Sequence, residues 1–146
     1  MPITKKGEYY YGTEDADIAD EIASYSTFNT YIATRFQPAT CACGSTDFLL
    51  LTDEIEGVAK RICAECRTEV LMGDSADYIE GAELDNHICV CDEERFGITS
   101  GVALYADSND VRWLYIGCRC RRCDLVGVFA HWKCEGGDAD AFMAQL

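Results

Sequence analysis

Residues 41–66 read CACGSTDFLLLTDEIEGVAKRICAEC, with a close pair of cysteines at each end. The apolar and β-branched runs over 48–52 and 58–62 predict two strands, and the acidic residues of 53–57 predict the turn between them. A third strand is predicted over 68–72. Because a hairpin brings its two open ends together, four thiols are expected to meet at one point.

The same order of parts occurs a second time in residues 89–123, which read CVCDEERFGITSGVALYADSNDVRWLYIGCRCRRC. Strands are predicted over 96–105, 111–117 and 125–132, with a turn at 107–110. The offset between the two copies is 48 residues at the first cysteine pair and 57 at the second. The second hairpin is therefore nine residues longer, a change that a surface loop tolerates.

The N-terminal segment predicts one strand and one helix. Three tyrosines bracketed by glycines predict a strand over 7–12. The helix is expected to begin at Thr13 or Asp15, where capping and acidic residues favour a helix N-terminus, and Pro38 is expected to stop its continuation. Its apolar stripe is predicted to pack into the core and contains Ile18, Ile22, Tyr25, Phe28 and Ile32.

Together these elements predict an α+β fold. The N-terminal strand and helix occupy 1–40, the first cysteine unit 41–88, and the second unit 89–146 with a short C-terminal helix over 139–146. We expect one compact body, because 146 residues is a one-domain length. With 49% apolar residues the chain can bury a core, which excludes an intrinsically disordered protein.

The expected compartment follows from signals that the sequence lacks. No export signal is visible at its start, and no apolar run approaches the roughly 20 residues of a membrane helix. We therefore expect a cytoplasmic protein without membrane contact, in which the ten cysteines stay reduced. Reduced thiols in this number indicate metal binding.

The spacing within each unit bears on the geometry of such a site. The second pair is Cys-x-x-Cys, the usual metal-binding knuckle turn. The first pair is Cys-x-Cys, which is one residue shorter and reduces the distance that the turn can place between its two sulfurs. Gly44 follows the first pair, where such a turn needs a positive φ. The residues alone allow three alternatives: metal ligands drawn from both units, an iron–sulfur cluster, or reduced thiols packed in the core.

Over roughly residues 41–72 and 89–132 the pattern resembles the zinc-ribbon proteins, in which cysteine turns at the ends of a β-hairpin clamp a structural zinc ion. The resemblance implies two Zn²⁺ ions. The first would be bound by Cys41, Cys43, Cys63 and Cys66. The second would be bound by Cys89, Cys91, Cys120 and Cys123. Four thiolates leave no open coordination position, so the resemblance implies structural rather than catalytic metal.

Several residues lie outside this assignment. Cys118 and Cys134 are predicted to be core thiols, with Cys118 as a substitute ligand in the alternative. His87 is predicted to lie beside the site or at the surface, and His131 to be a partly buried, hydrogen-bonded imidazole. Three arginines flank the second knuckle and either contact an acidic partner or a phosphate, or neutralise a tetrathiolate zinc: Arg119, Arg121 and Arg122.

No catalytic motif is present: there is no Gly-x-Ser-x-Gly, no phosphate-binding glycine loop and no His-Glu-x-x-His. The chain is therefore expected not to be an enzyme. Carboxylate clusters such as Asp53-Glu54 are expected to decorate solvated turns. A metalloenzyme with three thiolates and a bound water is the alternative of a different class.

The net charge of −14, from 26 acidic and 12 basic residues, disfavours nucleic-acid binding and favours a basic protein partner. By size and charge alone the chain is similar to the small acidic immunity and inhibitor proteins of bacteria. That resemblance implies a basic partner such as a toxin or nuclease. The alternative is a zinc-ribbon nucleic-acid-associated factor with a local basic patch of Arg112, Arg119, Arg121, Arg122 and Lys133.

Overall fold

The computed structural model describes residues 3–146, which form a mainly antiparallel sheet with two α-helices. The strands are β1 (Thr4–Lys6), β2 (Tyr9–Tyr11), β3 (Arg35–Pro38), β4 (Phe48–Asp53), β5 (Val58–Cys63), β6 (Glu69–Leu71), β7 (Asp85–Asn86), β8 (Phe96–Leu104), β9 (Asp110–Cys120) and β10 (Leu125–Asp138). The helices are α1 (Ala16–Phe28) and α2 (Ala139–Met143), with short 3₁₀ turns at Ser75–Asp77 and Ile79–Gly81. This content agrees with the α+β prediction in outline.

The strand order is β1-β2-β10-β9-β8-β4-β5-β6, with β3 added beside β8 and β7 beside β4. The sheet therefore runs through all three segments of the predicted organisation. Every observed pairing is antiparallel. Within residues 3–146, neither helix has the length and hydropathy needed to cross a lipid bilayer.

Each cysteine unit contributes a three-stranded meander. In the first, β4 pairs with β5 from Phe48 opposite Cys63 to Asp53 opposite Val58, and β6 pairs with β5. In the second, β9 lies between β8 and β10. The additional residues of the second hairpin mainly lengthen β8 and β9 rather than the loop between them.

Strand β9 is buried on both faces from Leu114 to Cys118, which explains why this central part of its sequence is apolar. Leu114 and Ile116 belong to the larger core, which also contains the fully buried Phe48 and Phe96. Tyr115 points to the opposite face and packs in a smaller core beneath α1. The central strands thus separate two apolar clusters.

Helix α1 is shorter than predicted. Ile18 and Ile22 are fully buried in the smaller core, but Phe28 is 88% exposed and ends the helix. Ile32 lies beyond it and is exposed, as is Tyr25 within the helix, so the predicted stripe was wrong after Ile22. Pro38, predicted to stop the helix, ends β3, which pairs with β8.

Strand β10, predicted to end at Trp132, continues to Asp138, and the other differences concern short elements. The tyrosine strand is present as β2, but its partner β1 was not predicted, since its residues Thr4–Lys6 are polar and exposed. Strand β7 contains only two residues and gave no pattern to detect. The predicted C-terminal helix exists as α2, which packs against β10.

Candidate metal centres

The cysteines of the two units gather into two separate groups of four. Cys41 Sγ lies 3.5 Å from Cys66 Sγ, and Cys43 Sγ lies 3.6 Å from Cys63 Sγ. All four sulfurs of this first cluster lie within 4.8 Å of one another. We call this group the first cysteine cluster.

The second cysteine cluster has nearly the same dimensions. Cys89 Sγ lies 3.6 Å from Cys123 Sγ, and Cys91 Sγ lies 3.5 Å from Cys120 Sγ. Its four sulfurs also lie within 4.8 Å of one another. Each cluster takes all its cysteines from one unit, so the structure brings together the two sets that the sequence predicted and does not mix them.

These separations are close to what a tetrahedral thiolate site needs. Zinc–sulfur bonds of about 2.3 Å place neighbouring sulfurs about 3.8 Å apart. The observed sulfur pairs at 3.5 and 3.6 Å are only slightly shorter. Both clusters could therefore hold a metal ion after a small outward movement of the thiols.

The short Cys-x-Cys turn reaches this geometry through a left-handed residue. After the first pair, Gly44 has φ +93° and its amide donates to the Cys41 carbonyl at 2.8 Å. In the second unit Asp92 has φ +73° and donates to the Cys89 carbonyl, also at 2.8 Å. The expectation for Gly44 is confirmed, and an aspartate takes the same role in the second unit.

The Cys-x-x-Cys turns are equally matched between units. The amide of Cys66 donates to Cys63 Sγ at 3.5 Å, as the amide of Cys123 does to Cys120 Sγ. Each turn then closes through a residue with φ +67°, which is Arg67 in the first unit and Asp124 in the second. Amides directed at a sulfur stabilise the thiolate, which is the form that binds metal.

The pKa values do not separate ligand thiols from core thiols, because burial raises the pKa of Cys89 and of Cys123 in the second cysteine cluster. The amide of Cys66 lowers the pKa of Cys63 to about 6. Burial instead raises the pKa of Cys134 to about 12 and raises the pKa of Cys118 well above its ordinary range. Cys118 and Cys134 lie in the larger core and in neither cluster, as predicted.

Neither histidine belongs to a cluster. His87 Nε2 lies 2.7 Å from Thr52 Oγ1, and burial lowers the pKa of this imidazole. His131 accepts a hydrogen bond from the Trp113 indole at 3.0 Å and lies 3.0 Å from the Tyr25 hydroxyl. The prediction of a hydrogen-bonded, partly buried His131 is confirmed.

Two of the three arginines beside the second knuckle are bound to carboxylates. Arg121 donates to both oxygens of Asp15, at 2.6 and 2.9 Å, and to Asp47 at 2.7 Å. Arg119 donates to Asp15 at 2.9 Å and to Asp124 at 2.5 Å. These guanidinium groups join α1 to both cysteine units.

Sequence reasoning missed this network because its members are far apart in the chain. Asp15 precedes Arg121 by 106 residues, and no spacing rule connects them. Bound to Arg121 and Arg119, the Asp15 carboxyl has a lowered pKa. The Arg122 guanidinium lies at the surface, 3.5 Å from the Cys91 carbonyl.

The carboxylates of the acidic turns accept hydrogen bonds from nearby groups of the same turns. Asp53 accepts from the amides of Ile55 and Glu56, which fixes the β4–β5 turn. Glu93 accepts from the Arg95 guanidinium and from nearby amides. These carboxylates therefore shape turns, as expected for solvated acidic clusters.

Comparison with known proteins gives no match to a family model, to a curated protein or to a solved structure. The two cysteine clusters therefore carry the functional argument.

Proposed function

We propose that this chain is a non-enzymatic, acidic protein-binding module, held in shape by two structural zinc ions, that engages a basic protein partner. A toxin or nuclease is the kind of partner that fits this charge. In that setting the chain acts as an immunity or inhibitor protein.

The observation that carries the proposal is the pair of four-cysteine clusters. Each supplies four sulfurs within 4.8 Å of one another, and four thiolates are the donor set of structural rather than catalytic zinc. The hairpin between the cysteine turns and the third strand after them support a zinc-ribbon-like identity for each unit. The metal would fix the turns from which the hairpins emerge.

The charge supports the choice of partner. A chain of net charge −14 attracts basic surfaces over long range and raises their rate of encounter. Two thiolate clusters bound to divalent ions would make it more acidic still. Electrostatic steering of this kind weakens as salt screens the field.

The nucleic-acid alternative has weaker support. It requires free basic side chains, but Arg119 and Arg121 are bound to aspartates. Arg112 lies over the rings of Tyr31 and Tyr105. Without displacing these contacts a phosphate would meet only Arg122 and Lys133, the two exposed members of the patch.

The test has two parts. Metal analysis of protein purified without chelator should find two zinc ions per chain. Affinity capture from the native cell should then retain a protein of high isoelectric point, and its association rate, measured with the purified pair, should fall steeply with ionic strength. Absence of bound metal would overturn the structural part, and capture of neutral or acidic proteins alone would overturn the partner assignment.

A further inference from the structure

A pocket of about 270 Å³ lies away from both cysteine clusters, between the β4–β5 turn, the 3₁₀ turn at Ser75–Asp77 and strand β10. Its wall contains Glu56, Asp74, Tyr78, Trp132, Lys133 and Glu135. Three of these residues are acidic and one is basic, so the pocket carries a negative charge of its own.

Asp74 is the most unusual of the three acids. Its side chain is half-buried, and among residues 3–146 only its own amide donates to its carboxylate. Burial raises the pKa of Asp74, and the nearby charge of Asp77 raises it further. A half-buried carboxylate without a cation is stabilised when a positively charged group binds beside it.

The wall also holds an unused hydrogen-bond donor. Trp132 is only 6% exposed, and its indole N–H has no acceptor within the described part of the chain. A buried donor without an acceptor costs free energy, so such groups in native proteins call for an explanation. Within residues 3–146, the pocket wall therefore contains an acceptor without a cation and, just beneath its surface beside Gly57, a donor without an acceptor.

We propose that this pocket binds an arginine side chain of the basic partner, with the guanidinium on Asp74 and Glu56 and against the Tyr78 ring. The planar guanidinium binds carboxylates through two hydrogen bonds and stacks on aromatic rings, which a lysine ammonium does less well. The Trp132 indole, whose nitrogen is shielded beside Gly57, donates to a main-chain carbonyl of the same arginine residue after the β4–β5 turn moves aside. The proposal rests on the proposed function, because it identifies where the basic partner is anchored.

Lys133 provides an internal check on the charge argument. Its ammonium is the one cation in the described pocket wall, and the residue is exposed. Because it repels an incoming guanidinium, the Lys133→Gln variant should bind the cation about two- to threefold more tightly.

The probe is N-acetyl-arginine amide, which has the guanidinium and the carbonyl but no net charge on its backbone. Spectra of ¹⁵N-labelled, zinc-loaded protein show two indole N–H signals, and the Trp113→Phe variant assigns them. Addition of the probe should move the Trp132 signal downfield with saturation near about 10 mM. N-acetyl-citrulline amide, of the same shape but neutral, should leave it in place.

Matched variants locate the binding. Asp74→Asn should weaken binding about tenfold, because a charge-assisted hydrogen bond is lost. Asp77→Asn, which neutralises an exposed acid in the same turn, should change it less than about twofold. Unchanged backbone signals elsewhere will show that both variants are folded.

Three results would overturn the assignment. The first is no movement of the Trp132 signal up to about 50 mM probe. The second is an equal response to the citrulline compound, and the third is an equal loss in both aspartate variants.

The outcome is separable from that of the proposed function. If the captured basic partner binds the wild type and Asp74→Asn equally, the pocket assignment fails while the proposed function stands. If the probe binds as described but no basic protein is captured, the pocket stands and the proposed function fails.

Discussion

Phe48 lies directly opposite Phe96 where β4 pairs with β8. The two residues occupy equivalent positions in the duplicated units, 48 residues apart, and both are fully buried. Each also faces the first cysteine of the second pair in its own unit, Cys63 or Cys120. The two units therefore meet through the same residue, as two halves related by approximate two-fold symmetry do.

Equivalent hydrogen bonds extend this relation to the cysteine turns. The amide of Ala64 donates to the Asp47 carbonyl at 2.9 Å, and at the equivalent place the amide of Arg121 donates to the Arg95 carbonyl at 3.1 Å. The turns thus have the same main-chain scaffold although their side chains differ. The matching main-chain hydrogen bonds indicate that the two cysteine units have the same local backbone structure.

Loss of one ligand should cost one metal ion. Cys63→Ser and Cys120→Ser should each leave one zinc per chain and lower the free energy of unfolding by more than about 3 kcal/mol, since metal binding and folding are coupled. Metal analysis and urea unfolding check both. Cys118→Ala is the control: it should keep two zinc ions, because its buried sulfur belongs to neither cluster. Equal metal loss in all three variants would contradict the ligand assignment.

The cysteine clusters were predictable because they depend on local spacing. Pairs at the ends of a hairpin of any length come together once the strands form, so the order of the pairs was sufficient. The end of α1 was harder to predict. Phe28 and Ile32 fit helical periodicity, but among residues 3–146 both stay largely exposed, and the chain turns away through Thr30, which has φ +75°.

Contacts that depend on tertiary pairing could not be predicted. Asp15 meets Arg121 because α1 packs across the strands, and the Trp132 indole nitrogen lies beside Gly57 of the β4–β5 turn without an acceptor among residues 3–146. Periodicity and spacing describe neighbours along the chain. They give no information about which distant surface residues become opposed.

A second prediction concerns the backbone of Asp92, the residue after Cys91, which has a left-handed conformation. Asp92 has φ +73°, which is less favourable for aspartate than for the glycine that stands at the equivalent position 44. Asp92→Gly should therefore raise the free energy of unfolding by about 0.5 kcal/mol, measured by urea titration. Asp92→Ala removes the same carboxylate but keeps the strained backbone, so it should give no gain. A gain in both would implicate the charge instead.

Packing of α1 depends on glycine at position 117. A Cβ there would lie 2.6 Å from Ile18 Cγ2 and 2.9 Å from Ile22 Cδ1. Gly117→Ala should push the helix from the sheet and cost about 1–3 kcal/mol, read from thermal or urea unfolding. Gly127→Ala, in β10, meets its nearest atom at 3.5 Å and should cost clearly less. Equal costs would mean that backbone freedom, rather than helix contact, governs both sites.

The ionisation of Glu21 makes the free energy of unfolding of the protein depend on pH. Burial raises its pKa above the usual 4.5, so the folded state disfavours the ionised form. Because the pKa of Glu21 is raised in the folded state, its protonated carboxyl favours folding below pH 4.5. This contribution to the free energy of unfolding is lost as pH rises through the pKa of the folded state. At pH 7 the charged carboxylate therefore destabilises the protein relative to a neutral side chain.

Glu21→Gln should consequently be more stable than the wild type at pH 7, by less than about 1 kcal/mol because the side chain is only half-buried and solvent screens it. The advantage should shrink as pH falls toward 4.5, where the wild-type carboxyl becomes protonated. Urea unfolding of both proteins across this range gives the difference directly, and loss of metal at low pH affects both alike. Asp20→Asn, on the exposed side of the same helix, should show no such trend; a parallel trend would assign the effect to overall charge rather than to burial of Glu21.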